Sequence, residues 1–152
     1  MKIFDKHATF YLMEKMYSLR HFHSSWRVLH LQLSNRSERF NRTMRTHFIL
    51  KGLRHLLGDE DGYIYLCEDG DIIILFEGRM APLLRKLSQY FADIDAQFAT
   101  ETLGHYFTTY DLSKDWERFS HMCHMKSLET DLWTRIRNLP AAPRPWEQAQ
   151  VP

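Results

Sequence analysis

The chain has 152 residues, 44% of them hydrophobic and 26% charged, enough for one domain with a core and too few for two ordinary ones. Its 20 Lys and Arg stand against 19 Asp and Glu, a formal charge of +1, so no long-range field draws nucleic acid or an acidic membrane. Cys67 and Cys123 lie far apart in apolar surroundings, as reduced cytoplasmic thiols do, and nothing approaches the ~20 apolar residues that span a bilayer or the apolar core of a signal peptide.

From Asp5 to Leu19 the spacing of Leu12, Met16 and Leu19 predicts an amphipathic helix, the main feature of a leading segment over residues 1–25. Trp26 to Leu33 then alternates, with Leu29, Leu31 and Leu33 on one side and Val28 and His30 on the other, which is the period of a strand. Asn35 followed by Glu38 forms a capping-box-like start for a second helix, carried by Phe40, Met44, Phe48 and Leu53 to Leu57 and ended by the Gly58-Asp59-Glu60-Asp61-Gly62 loop.

Tyr63 to Gly78 is a hairpin, two apolar runs around Glu68-Asp69-Gly70-Asp71, with Asp69-Gly70 expected as a two-residue turn in which both residues take positive φ. Pro82 suits the first turn of a third helix, continued by Leu83, Leu84, Leu87, Tyr90 and Phe91. Gly104 to Tyr110 is aromatic and β-branched and forms a last strand. Asp111 or Ser113 caps a final helix through Trp116, Phe119 and Cys123 to Ile136, with Lys126 marking where it could be interrupted. The Pro- and Ala-rich residues 140–152 have the composition of a linker or extended tail, as if leading to another domain.

The expected fold is therefore α+β. A β-α-β-β-α-β core over residues 26–139 forms an antiparallel, ferredoxin-like sheet with helices on one face and additional N- and C-terminal helices.

That element order from Trp26 to Tyr110, with a preceding helix and with Glu68-Asp69-Gly70-Asp71-Ile72 at the central hairpin, resembles a GGDEF domain of the diguanylate cyclase family. The resemblance implies a metal-binding aspartate at the end of the first strand and a Gly-Gly-Asp/Glu-Glu-Phe hairpin. Here Glu68 and Asp69 stand in place of the two glycines, and Gln32 and Ser34 stand where the acid belongs. Two-metal nucleotidyl chemistry needs anionic oxygens on both ions, and Gln32 offers only a neutral carbonyl. The expectation is a degenerate, catalytically inactive domain without a cofactor.

Other chemistry-bearing residues have weaker patterns. Asp69, Asp71 and Glu68 could hold Mg²⁺ in a nucleotide-binding or weakly active domain for GTP or cyclic di-GMP, although acids beside a turn glycine commonly just solvate it. The 58–62 loop lacks EF-hand spacing. His21 with His23, and His121 with His124, are the histidine pairs a metal sensor would use, but no spacing supplies further ligands. Cys123 and His124 are adjacent on a helix and do not face each other. The aliphatic third strand lacks the stacking aromatics of an RNA-recognition domain.

Phe10, Tyr11 and Tyr17 on the leading helix, with Arg39 and Arg42 on the Arg-rich second helix, are the candidate interaction residues. The sequence thus points to a cytoplasmic regulatory or protein-interaction module of a bacterial signalling protein. Its partner would be another protein, another domain of its own chain or a second copy.

Overall fold

The computed structural model describes residues 1–32, 52, 54–58, 60–94 and 107–138. In chain order these form β1 (Lys2–Phe4), α1 (Ala8–Leu19), β2 (Trp26–Leu31), α2 (Arg54–Leu57), β3 (Tyr63–Leu66), β4 (Ile72–Glu77), α3 (Met80–Ile94), β5 (Phe107–Asp111) and α4 (Trp116–Asn138). The strands make one sheet in the order β1-β3-β4-β2-β5. β3 pairs antiparallel with β4, and β2 pairs antiparallel with both β4 and β5.

β1 changes the sheet from the expected antiparallel one to a mixed one. It runs parallel to β3, with Lys2 opposite Tyr63 and Phe4 opposite Tyr65. Its three residues lie in the segment that the sequence assigns to the leading helix, and they are too few to show a period. They cover a β3 edge whose N–H and C=O groups would otherwise have no strand partner on that side.

The strand period sorts side chains into two cores. Leu29, Leu31, Ile64, Ile74 and Phe76 turn to one face, where Leu57 of α2 and Leu83 and Leu87 of α3 cover them. Val28, Tyr65, Ile73, Leu75 and Tyr110 turn to the other, where Leu12, Met16 and Leu19 of α1 and Phe119 and Cys123 of α4 cover them. The helices within the β-α-β-β-α-β stretch, α2 and α3, therefore share one face of the sheet as expected, and the additional helices α1 and α4 cover the other. The physical reason lies in β4, where Ile72 to Phe76 are all buried; an unbroken aliphatic run needs cover on both sides.

Pro82 falls in the first turn of α3 as expected, and α4 is continuous through Lys126, with no interruption. Of the helix expected from Asn35 to Leu57, Arg54–Leu57 is described as α2. Arg39, Arg42 and the tail over residues 140–152 lie outside the described residues. No helix among the described residues is long and apolar enough to cross a membrane.

Candidate functional site

The tip of the β3–β4 hairpin is built on a different turn from the one its Asp-Gly suggests. The Gly70 N–H donates to the Cys67 carbonyl at 3.0 Å and the Cys67 N–H to the Asp71 carbonyl at 2.9 Å. Glu68 and Asp69 are therefore the central turn residues. Gly70 follows them at φ 97, while Asp69 keeps negative φ. This is a three-residue loop with a glycine bulge rather than a two-residue turn. The Asp69 Oδ1 steadies it by accepting from the Asp71 N–H at 2.9 Å. The bulge sets Asp71 on the same face as Ile73, towards α1 and α4.

Each of the three tip carboxylates has a partner on another element. The Asp71 Oδ2 accepts from the His30 Nε2–H of β2 at 2.8 Å and from the Lys126 Nζ of α4 at 2.7 Å. The same ammonium donates to the Asp69 Oδ2 at 2.6 Å. His30, Asp71 and Lys126 are all buried. Burial works against the charged form of Lys126, but the Asp71 and Asp69 carboxylates outweigh it and hold the ammonium above the usual lysine range. In a neutral His30 ring, donation from Nε2 leaves Nδ1 as an acceptor, and it has no hydrogen-bond partner among the described residues.

Glu68 serves the other helix. Residue His7, at the N-cap position of α1, takes φ 52 and its side chain makes no cap. The Glu68 Oε2 instead accepts from the Thr9 backbone N–H at 3.4 Å and from the Thr9 hydroxyl. A carboxylate there satisfies one of the open N–H groups of the first turn and meets the positive end of the helix dipole.

The tip is therefore a joint that fastens α1 and α4 to the sheet. A divalent cation would have to displace the Lys126 ammonium to reach Asp69 and Asp71. Among the described residues no group of three or more His, Cys, Asp or Glu is arranged to hold a metal ion. Gln32, at the position of the missing first-strand acid, donates through Nε2 to the Thr108 hydroxyl at 3.3 Å. Ile72, the last residue of the degenerate signature, is buried in the core beneath α3.

The histidine and cysteine candidates are dispersed. His121 is exposed, and His124 is exposed with its ring edge-on to Tyr17 at 6.0 Å between centroids. His23 stacks on Trp116 and lies 2.7 Å from the Leu112 carbonyl oxygen through Nδ1, while His21 is exposed. Burial pushes the Cys67 thiol up to about 12 and raises that of Cys123 as well, so both stay protonated and poorly nucleophilic.

Of the aromatic interaction candidates, Phe10 and Tyr17 are 64% and 50% exposed. Tyr11, 39% exposed, packs one face on Phe4, with centroids 5.0 Å apart. Phe10, Met13 and Tyr17 of α1 face Ser127 and Asp131 of α4 across a groove of about 410 Å³, which Glu68 closes at the hairpin end.

Lys126, His30 and Thr9 are site residues that the motif reading missed. Lys126 had a signal, because it follows Phe119 and Cys123 at i+7 and i+3, on the stripe a helix buries. His30 had one too, since it alternates with Val28 on a buried strand face. Comparison of the chain with protein-family models, with curated proteins and with solved structures finds no match in any of the three.

Proposed function

We propose that the chain is a catalytically silent, degenerate GGDEF-like regulatory module of a signalling protein, which acts by binding another protein. The observation that carries this reading is the Lys126 ammonium, 2.6 Å from Asp69 and 2.7 Å from Asp71. It fills the place between the two hairpin carboxylates that a metal ion would need, and with Gln32 neutral no second anionic site lies opposite among the described residues. The order β3-β4-β2-β5 supports a ferredoxin-like core, because β4 lies between β2 and β3 while β2 lies between β4 and β5. Each crossover pair is thus split by a strand of the other. Exposed Phe10 and Tyr17 along α1 supply the interaction surface.

Thermal melts with GTP, with cyclic di-GMP and with each plus Mg²⁺ test the silent part. The midpoint is expected to stay unchanged in all of them. A saturable rise with nucleotide would overturn the reading and favour a nucleotide-binding domain, since a ligand of the folded state raises stability by mass action.

A further inference from the structure

The groove between α1 and α4 has a shape and a charge that specify its occupant. On α1, Phe10, Met13 and Tyr17 recur at i, i+3 and i+7 and form one wall. On α4, Ser127 and Asp131 line the other wall. Leu128, 63% exposed, stands three residues before Asp131 on the same side of α4 and extends the apolar surface beyond the pit. The Tyr17–His124 ring contact closes one end and Glu68 the other. From Phe10 to Tyr17 the wall rises about 10 Å, close to two helical turns.

Among the described residues no lysine or arginine lines the groove, whereas the carboxylates of Glu68 and Asp131 do, with His7 beside Glu68. At its hairpin end the groove is lined by Glu68 together with His7 and Thr9. A trough with an apolar α1 wall and, among the described residues, carboxylates but no lysine or arginine opposite disfavours an acidic segment and receives an apolar residue flanked by cations. Its length and the exposed Leu128 beyond it suit a helix better than a small molecule, which a pit of this volume alone would also admit.

We infer that this groove docks a cationic amphipathic helix of a partner protein, with a large apolar side chain between Phe10, Met13 and Tyr17 and a Lys or Arg on Asp131. The inference rests on the interaction-module reading and names the chemistry of the partner. Docking brings the partner against Glu68, the residue that caps α1, so occupancy bears directly on the joint at the hairpin tip.

Fluorescence anisotropy with two labelled helical peptides tests it, one with Leu on one face and Lys on the other, the second with Glu in place of every Lys. The full chain is expected to bind the Lys peptide saturably and the Glu peptide at least tenfold more weakly. Phe10→Ala and Asp131→Lys should each weaken Lys-peptide binding about tenfold or more, while Phe22→Ala, at an exposed aromatic outside the groove, should leave it unchanged. Both α1 and α4 substitutions are at exposed positions, and retention of the native melting midpoint separates lost binding from lost folding.

Equal binding of the two peptides would overturn the charge assignment and leave the interaction-module reading standing. Lys-peptide binding that ignores Phe10→Ala and Asp131→Lys would overturn the groove. Absence of any binding, with light scattering that shows the groove consumed in a dimer broken by Phe10→Ala, would replace the cationic helix with a second copy. Absence of binding by a monomer would overturn the inference. A nucleotide-dependent rise in the melting midpoint would count against the silent-module reading, whatever the peptides do.

Discussion

Lys126 sits on the buried stripe of α4, and its ammonium is held by the buried Asp71 carboxylate and by that of Asp69, which keeps contact with water. A surface pair of this kind would contribute little, but here removal of the cation leaves Asp69 and Asp71 facing each other under a helix. Lys126→Met is therefore expected to cost roughly 3–5 kcal/mol in urea unfolding, the range for breaking a buried pair from one side. A loss under about 1 kcal/mol would mean that the carboxylates find water or a proton readily and that the joint is not held by charge. Adding Asp69→Asn and Asp71→Asn to Lys126→Met should restore much of the stability, because the repelling charges leave together. The sequence carried half of this cluster. The run Phe119, Cys123, Lys126 marks a lysine that must be buried, and Val28 with His30 marks a buried histidine. That their partner is Asp71, 55 residues from Lys126 and 41 from His30, follows only from tertiary pairing, which no local period encodes.

At the scale of elements, α1 begins without a cap of its own and borrows Glu68 from the hairpin. Glu68→Ala should cost about 1 kcal/mol, the usual loss on removing a cap, and Glu68→Gln less, since the amide keeps an acceptor but not the charge. Amide hydrogen exchange gives the local check, because the Thr9 N–H should exchange faster in Glu68→Ala while the amides of α3 keep their rates. Uniform acceleration across the chain would place the effect elsewhere. Gly70→Ala tests the bulge, for at φ 97 an L side chain is strained, and a loss of roughly 1–2 kcal/mol is expected. Most elements were legible because their periods run for many residues. Leu12, Met16 and Leu19 gave α1, the alternation from Trp26 gave β2, and the apolar runs gave β3 and β4. The hairpin turn was not, since Glu-Asp-Gly-Asp satisfies both a two-residue and a three-residue loop. The side-chain alternation across Leu66 and Ile72 decides between them only once the strands are paired. β1 escaped for want of length, and the possible interruption of α4 near Lys126 does not occur, because the lysine on the buried stripe meets the Asp69 and Asp71 carboxylates.

For the whole molecule, the sheet separates an aliphatic core under α2 and α3 from a core under α1 and α4 that holds ionisable groups. Tyr65, Cys67, Tyr110 and Cys123 belong to the second core, with Lys126 beside it, and all five are shifted upward. For the tyrosines and cysteines burial is the chief cause; for Lys126 burial opposes the shift and the Asp71 and Asp69 carboxylates produce it. The sign is the same for each. A group whose folded value lies above its unfolded one keeps its proton in the folded chain after the unfolded chain has released it, so its contribution is complete below the unfolded value and falls as pH rises past it. Ordinary values of 9.0 for the thiols, 10.0 for the tyrosines and 10.5 for the lysine set the window. Stability should hold level approaching pH 9 and then drop with a steepening slope, by about 1.4 kcal/mol per pH unit for every such group in its window. Urea midpoints between pH 7 and 10.5 measure this, and Cys67→Ala with Cys123→Ala should remove the first part of the decline while Lys126→Met removes some of the last. Because these groups share one face, amides of α1 and α4 should lose exchange protection at alkaline pH before those of α3 do. A midpoint that stays level to pH 10.5, or a loss of protection that begins in α3, would show that the two helical layers are not coupled to the sheet in the way the buried joint at Asp71 requires.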